Sequence, residues 1–238
     1  MEGGGHTTPR ARSNTNGGAP KELPAAQKKE FLYKILVVGN MGTGKTSIIK
    51  RYCDNEFSDN YKSTIGVDFA LKSLEWGHNS MVHLQLWDIA GQERYGNLTR
   101  VYYRDAVGGF VVLDLGRPLQ ESLDIVKKWK GDIDSKIRLW NGDALPVVLL
   151  ANKVDLLGDK KADERTLEEF AKENGFIGWF ATSAKENLHV EKAMTFLINH
   201  IIHNYQNGPQ PENTDSMHLT LDEKEIRKYE DDGGGCSC

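Results

Sequence analysis

Strand-like and helix-like stretches alternate along most of this chain, and the alternation predicts an α/β fold: a doubly wound, mostly parallel sheet with helices on both faces. Two observations carry it. Short, nearly continuous apolar runs bounded by Gly, Asn or Asp read as strands buried on both faces, and apolar residues between them recur three and four apart, as on helices. Tyr33–Val38 is the first such run, and Lys45–Asn55 reads as the helix after it. His83–Ile89 alternates polar and apolar residues, the period of a half-buried strand. Phe110–Asp114 and Val147–Asn152 are two more buried strands, separated by a helix with Leu119, Leu123, Val126, Trp129 and Ile133 on one face. Thr166 and Glu169 have capping-box spacing ahead of a helix containing Leu167, Phe170 and Ala171. A further short strand ends at Thr182. The last helix carries Val190, Ala193, Met194, Leu197, Ile198, Ile201 and Tyr205 on one face. No repeat is visible, and core packing accounts for all these stripes.

The 238 residues are 39% hydrophobic and 27% charged, so neither wholesale disorder nor a fibre fits. Net charge is −4 and no Lys/Arg stripe is present, which argues against nucleic acid as a partner. Pro146–Ala151, among the longest apolar stretches, is far too short to cross a bilayer. Residues 1–30 hold no apolar run of the kind a secretory signal needs, and Glu2 excludes N-myristoylation. Cys53, Cys236 and Cys238 are the three cysteines, and they make no disulfide framework. A cytosolic chain with one core is expected.

Charge and composition divide the chain in three. Residues 1–30 carry a net of +2, residues 207–238 a net of −5, and the stretch between them −1. Both ends are rich in Gly, Pro, Ser, Asn and Thr, and too poor in apolar residues to offset the entropy of ordering. They are expected to be a disordered N-terminal extension and a flexible tail flanking one domain over residues 31–206. Leu219–Tyr229 has helix-like spacing, but its apolar positions are sparse.

Gly39-Asn40-Met41-Gly42-Thr43-Gly44-Lys45-Thr46, followed by Ser47, fits G-x-x-x-x-G-K-[ST] and stands between a strand and a helix. Its glycines let backbone N–H groups wrap round phosphates, and the following helix offers its positive N-terminus. Lys45 is expected to reach the β/γ-phosphates and the Thr46 hydroxyl to bind Mg²⁺. Asp88-Ile89-Ala90-Gly91 places a carboxylate at a strand's carboxyl end, suited to a hydrated Mg²⁺, with the Gly91 N–H near a terminal phosphate. Alone, that D-x-x-G string is explained equally well by a turn.

Asn152-Lys153-Val154-Asp155 follows a strand. A carboxylate accepts from both guanine N1–H and its exocyclic amine, whereas adenine presents an acceptor at N1 and leaves a buried Asp155 unpaired. In Thr182-Ser183-Ala184-Lys185 the Ala184 N–H is expected to contact guanine O6. Each four-residue string alone is a chance match. All four in this order, each at a strand end, are not.

The set resembles the Ras-like small GTPases over essentially all of Phe31–Gln206, and within them it looks like a Rab. Ile65-Gly66-Val67-Asp68-Phe69, Leu84–Asp88 and Tyr102–Ala106 are similar to stretches that distinguish Rabs from their cousins. Ile89, where most Rabs carry Thr, together with Gly175–Phe180, resembles the Rab thirty-two and thirty-eight branch, which serves lysosome-related organelles, melanosomes and pathogen-containing vacuoles. The resemblance implies further roles. Thr64 matches the first-switch threonine that binds Mg²⁺ and senses the γ-phosphate. Phe57 matches an aromatic ring against guanine, and Tyr61 one that closes over the phosphates. Gln92 matches the glutamine that orients attacking water. Phe69, Trp87 and Tyr95 match an exposed aromatic triad read by partners, beside Ile65–Asp68. Phe57 and Phe69, read without the resemblance, are equally well core residues. Met41 stands where Ras itself has glycine, and its bulk near the attacking water implies slow hydrolysis.

The chain ends Cys236-Ser237-Cys238. Rabs with a C-x-C ending usually receive two geranylgeranyl groups. The resemblance therefore implies GTP/GDP and Mg²⁺ as ligands and a GTPase that cycles between two states. Its partners would be an exchange factor, a GTPase-activating protein, effectors, a prenylation escort and a GDP-dissociation inhibitor. It implies a monomer found in the cytosol and on the cytoplasmic face of intracellular membranes. An ATP-using P-loop enzyme is opposed by Asn152–Asp155, and a GTP-binding scaffold without turnover by Gln92.

Overall fold

The computed structural model describes residues 1, 29–60, 62–77, 80–93, 99–158 and 162–207. Along the chain run β1 (Lys29–Gly39), α1 (Lys45–Asp54), β2 (Val67–Trp76), β3 (Ser80–Ile89), α2 (Thr99–Tyr103), β4 (Ala106–Asp114), α3 (Leu119–Lys136), β5 (Val147–Asn152), α4 (Glu164–Glu173), β6 (Gly178–Ala181) and α5 (Val190–Asn207). The strands form one sheet ordered β2-β3-β1-β4-β5-β6. All neighbours pair in parallel except β2, which runs antiparallel to β3. This is the fold class expected from the sequence. β1 begins at Lys29, paired with Ser80, slightly ahead of the stretch that composition assigns to the domain.

Alternate residues of each strand feed two cores. Ile35 and Val37 pack with Ile48, Ile49, Leu197 and Ile201 under α1 and α5. Leu36 and Val38 pack with Leu123, Val126, Trp129 and Leu167 under α3 and α4. β4 and β5 are buried at every position, which is why they read as continuous apolar runs.

Besides the short α2, which the sequence reading does not contain, two elements depart from it. β2 does not show there, because its face and its polarity disagree. Phe69 and Leu71 stand on the exposed side, 49% and 60% accessible. Lys72, on the inner side, runs past Tyr52 to donate from Nζ to the Cys53 carbonyl at 2.9 Å. The helix α4 is not opened by a capping box at Thr166. Its N-cap is Asp163, whose carboxylate accepts from both the Thr166 N–H (3.0 Å) and its hydroxyl (2.7 Å). Glu169 pairs with Arg165 at 2.9 Å instead. An anionic cap satisfies the free N–H and also meets the positive helix end, so it displaces the threonine. Those two bonds from Thr166 hold the Asp163 carboxyl below its ordinary pKa.

Candidate functional site

Parallel pairing brings the carboxyl ends of β1, β3, β4, β5 and β6 to one edge of the sheet, and β1 is the switch point, with β3 on one side and β4 on the other. A cavity of about 500 Å³ opens there. Met41, Gly42, Gly44, Lys45, Thr46, Ser47, Phe57, Thr64, Gly91, Gln92, Asn152, Lys153, Asp155, Ala184 and Lys185, all singled out from sequence, line it together. Asn40, Thr43 and Ser183 stand behind its wall and hold the lining residues. Five lysines line the cavity against three carboxylates, a balance that suits an anionic ligand. Tyr61, Tyr95, Cys236 and Cys238 lie outside the described residues.

At one end α1 begins. Its N-cap Gly44 is left-handed (φ 92°) and has no side chain to cap the first-turn N–H groups. A Cβ there would stand 2.4 Å from Asn152 Nδ2, so only glycine allows the two loops to meet. Lys45 is buried, donating from Nζ to the Gly39 and Asn40 carbonyls at 3.1 and 3.0 Å. Burial, only partly offset by Asp88, pulls its pKa down to about 8. Thr43 Oγ1 donates to the same Asn40 carbonyl at 3.0 Å and fixes the loop from behind.

Beside Lys45, three oxygen-bearing side chains converge from three segments. Thr46 Oγ1 donates to Asp88 Oδ2, and the Thr46 and Thr64 hydroxyls are 2.9 Å apart. Asp88 Oδ1 is buried and has no hydrogen-bond partner. Burial raises the Asp88 pKa despite the opposing pull of Thr46, Lys45 and Thr64. A buried carboxylate oxygen without a donor is costly unless a cation meets it. Carboxylate and hydroxyl oxygens are the donors a hard cation such as Mg²⁺ prefers, so the residues fit one.

Gly91 presses on the β1–α1 loop: a Cβ there would lie 2.4 Å from the Met41 N. Gln92 is exposed at the cavity mouth, its Nε2 3.8 Å from Met41 Sδ. The thioether is a weak acceptor and holds the amide loosely.

At the far end Asn152, 1% exposed, ties three segments together. Its Nδ2 donates to the Thr43 carbonyl at 2.9 Å, and its Oδ1 accepts from Thr182 Oγ1 (3.2 Å) and the Ala184 N–H (3.3 Å). Ser183 Oγ donates to Asp155 Oδ1 at 2.6 Å, and Asp155 lines the cavity with its second carboxylate oxygen left for another donor. Lys153 is left-handed (φ 67°), with Nζ 2.7 Å from Asp114 Oδ2. Sequence reasoning missed that role of Asp114. The signal was present: Asp114 ends β4 in register with Asn152, a buried carboxylate on the edge where the loops gather.

Outside the cavity, Ile65 is 92% exposed beside the left-handed Gly66, whose carbonyl accepts from the Ala90 N–H. Val67 is half-buried, and Asp68 is exposed with its carboxylate on the Phe69 N–H. Phe69 stacks on Trp87 with ring centroids 6.0 Å apart, and Lys34 Nζ sits 3.6 Å from the Trp87 ring centre.

The family model described as "Ras: Ras family" matches residues 34–203. The human Ras-related protein Rab-32 is 49% identical over 227 residues, covering 95% of this chain and 96% of the relative. Rab-32A of Dictyostelium discoideum is 56% identical over 186 residues, with 76% and 83% covered. Human Rab-7L1 is 44% identical over 196 residues, with 82% and 95% covered. The chain therefore belongs to the Ras family, as a Rab small GTPase similar to Rab-32: an enzyme that hydrolyses GTP and works as a trafficking switch through exchange factors, activating proteins and effectors.

Proposed function

We propose that the cavity binds GTP and GDP, and that the loops carrying Thr64 and Gln92 are ordered by the γ-phosphate to recruit effectors to membranes of endolysosomal or lysosome-related organelles. The observation that carries this is the convergence of four strings, far apart in sequence, on one cavity with Lys45 at one end and Asp155 at the other. The N–H groups of Gly42–Ser47 and the Lys45 ammonium hold the phosphates. Asp155 and the Ala184–Lys185 backbone read guanine, with Phe57 at the side of the base. Thr46, Thr64 and Asp88 hold Mg²⁺, which when bound neutralises charge on the phosphate oxygens. Gln92 orients the water that attacks the γ-phosphate, and Met41 beside it slows that step. In a single-turnover assay Gln92→Leu is expected to slow hydrolysis of bound GTP by about tenfold or more. An unchanged rate removes Gln92 from the reaction.

The depressed Lys45 pKa gives a second test. Phosphates beside the ammonium favour its charged form, so binding raises this pKa from about 8 toward or above the ordinary 10.5. Below pH 8 the lysine is charged whether or not nucleotide is present. Above it the free protein has lost a proton that the complex holds. Calorimetry in buffers of different ionisation enthalpy should show uptake of about one proton per GDP near pH 9 and little near pH 7. Equal uptake at both pH values counts against Lys45 lying on the phosphates.

The Rab reading extends to the tail. Geranylgeranyl groups on Cys236 and Cys238, delivered with a prenylation escort and masked by a GDP-dissociation inhibitor, would partition the chain between the cytosol and the cytoplasmic face of these membranes. Two facts support lipid over protein as the anchor. No helix among the described residues is long and apolar enough to cross a membrane. Residues 207–238 carry a net of −5, which anionic headgroups repel.

A further inference from the structure

We propose that Arg51 is a positioning residue that sets how long guanine nucleotide stays bound, by aiming the backbone of Lys185 at the base. The proposal rests on the guanine reading of the cavity given above.

Arg51 lies in the last turn of α1 and does not line the cavity. Its guanidinium nonetheless reaches a segment 133 residues away. Nε donates to the Ala184 carbonyl at 2.8 Å and Nη2 to the Lys185 carbonyl at 3.1 Å. Nη1 turns back to the Asn55 carbonyl at 2.7 Å and to Asn55 Oδ1 at 3.2 Å. Asn55, left-handed at φ 57°, closes the helix by donating its own N–H to the Arg51 carbonyl, so the strap is anchored at both ends. The planar fork of arginine spreads its donors over three nitrogens and so spans three separate carbonyls, where a lysine has a single nitrogen.

Two consequences follow for the base. The N–H of Ala184 leans on Asn152 Oδ1 at 3.3 Å, whereas that of Lys185 is the second donor the 184–185 segment offers an exocyclic oxygen. In a trans peptide the C=O and N–H point in opposite directions. A guanidinium gripping the Ala184 carbonyl from the α1 side therefore turns the Lys185 N–H away from α1, and it also polarises that peptide, strengthening the donor. Without Arg51 the carbonyl is free to rotate toward water and the N–H loses its aim. The same strap ties this loop to Asn55, which leads into the segment carrying Phe57 and Asp59. Lys185 Nζ lies 3.8 Å from Asp59, a second link between the two sides of the cavity mouth. A partner that displaces that segment would thus loosen the base contact as well.

The test compares release of GDP and of 6-thio-GDP from the full chain. The thio analogue keeps the N1–H and amine that face Asp155, but its sulfur accepts poorly where O6 accepts well. Arg51→Ala is expected to speed GDP release about tenfold and 6-thio-GDP release about twofold, because little contact remains there to lose. Arg51→Lys, which keeps one donor and the stem packing, should fall between wild type and Arg51→Ala with GDP. Unchanged release, or equal acceleration with both nucleotides, overturns the proposal, since general loosening would not sense the atom at position 6. Equal release of the two nucleotides by the unaltered chain would overturn the guanine reading itself, and the proposal with it.

Discussion

Asp155→Asn should weaken GDP and GTP binding by about 10³-fold, roughly 4 kcal/mol, while raising affinity for the xanthine nucleotides. The carboxylate is already oriented by Ser183, whose hydroxyl donates to Oδ1 at 2.6 Å, and an asparagine oxygen can accept that bond equally well. The fold around the loop should therefore survive. What changes is the other end of the side chain: an amide donor faces the guanine amine, donor against donor, whereas xanthine presents an oxygen there. Competition against a fluorescent GDP by GDP, XDP and ADP measures all three affinities. GDP affinity equal to wild type would remove Asp155 from base recognition.

The second large effect is expected at the membrane. Cys236→Ser with Cys238→Ser should abolish membrane association in cell fractionation, with GDP affinity unchanged, and either single variant should shift much of the protein to the cytosol. One lipid chain gives only marginal, reversible binding, and stable anchoring takes a second chain or a basic patch. The tail supplies the opposite of a basic patch, with eight acidic residues against three basic ones over residues 207–238. Both chains are then needed, each contributing about 0.8 kcal/mol per buried CH₂. A double variant still firmly in the pellet would show that something other than lipid holds the protein there.

Much of the fold and the lining of the cavity could be read directly from the sequence, because both are written in local patterns. β4 and β5 are buried on both faces and so spell unbroken apolar runs, and the Gly39–Thr46 string needs its glycines at fixed offsets. β2 was not legible, since Lys72 on its inner face and Phe69 and Leu71 on its outer face invert the usual pattern. Asp163 was passed over because both Asp163 and Thr166 are good caps, and only the geometry shows which one the helix uses. The partners of Lys153 and Ala184 were hidden for a different reason. Asp114 and Arg51 act across long sequence separations, and no spacing rule links an arginine in α1 to a carbonyl after β6. The unpartnered Asp88 oxygen likewise exists only once the strands are assembled.

On the proposed function, one cavity couples the γ-phosphate to two loops. Hydrogen exchange of the chain loaded with GDP, against the chain loaded with a non-hydrolysable GTP analogue and Mg²⁺, tests it most directly. Thr64 meets Thr46 and Asp88 from one loop, and Gln92 reaches Met41 from the other, so both should tighten when the γ-phosphate is present. Stronger protection is expected at residues 62–66 and 90–93 with the GTP analogue, and unchanged protection in β4 and β5. Identical exchange in the two states would contradict it.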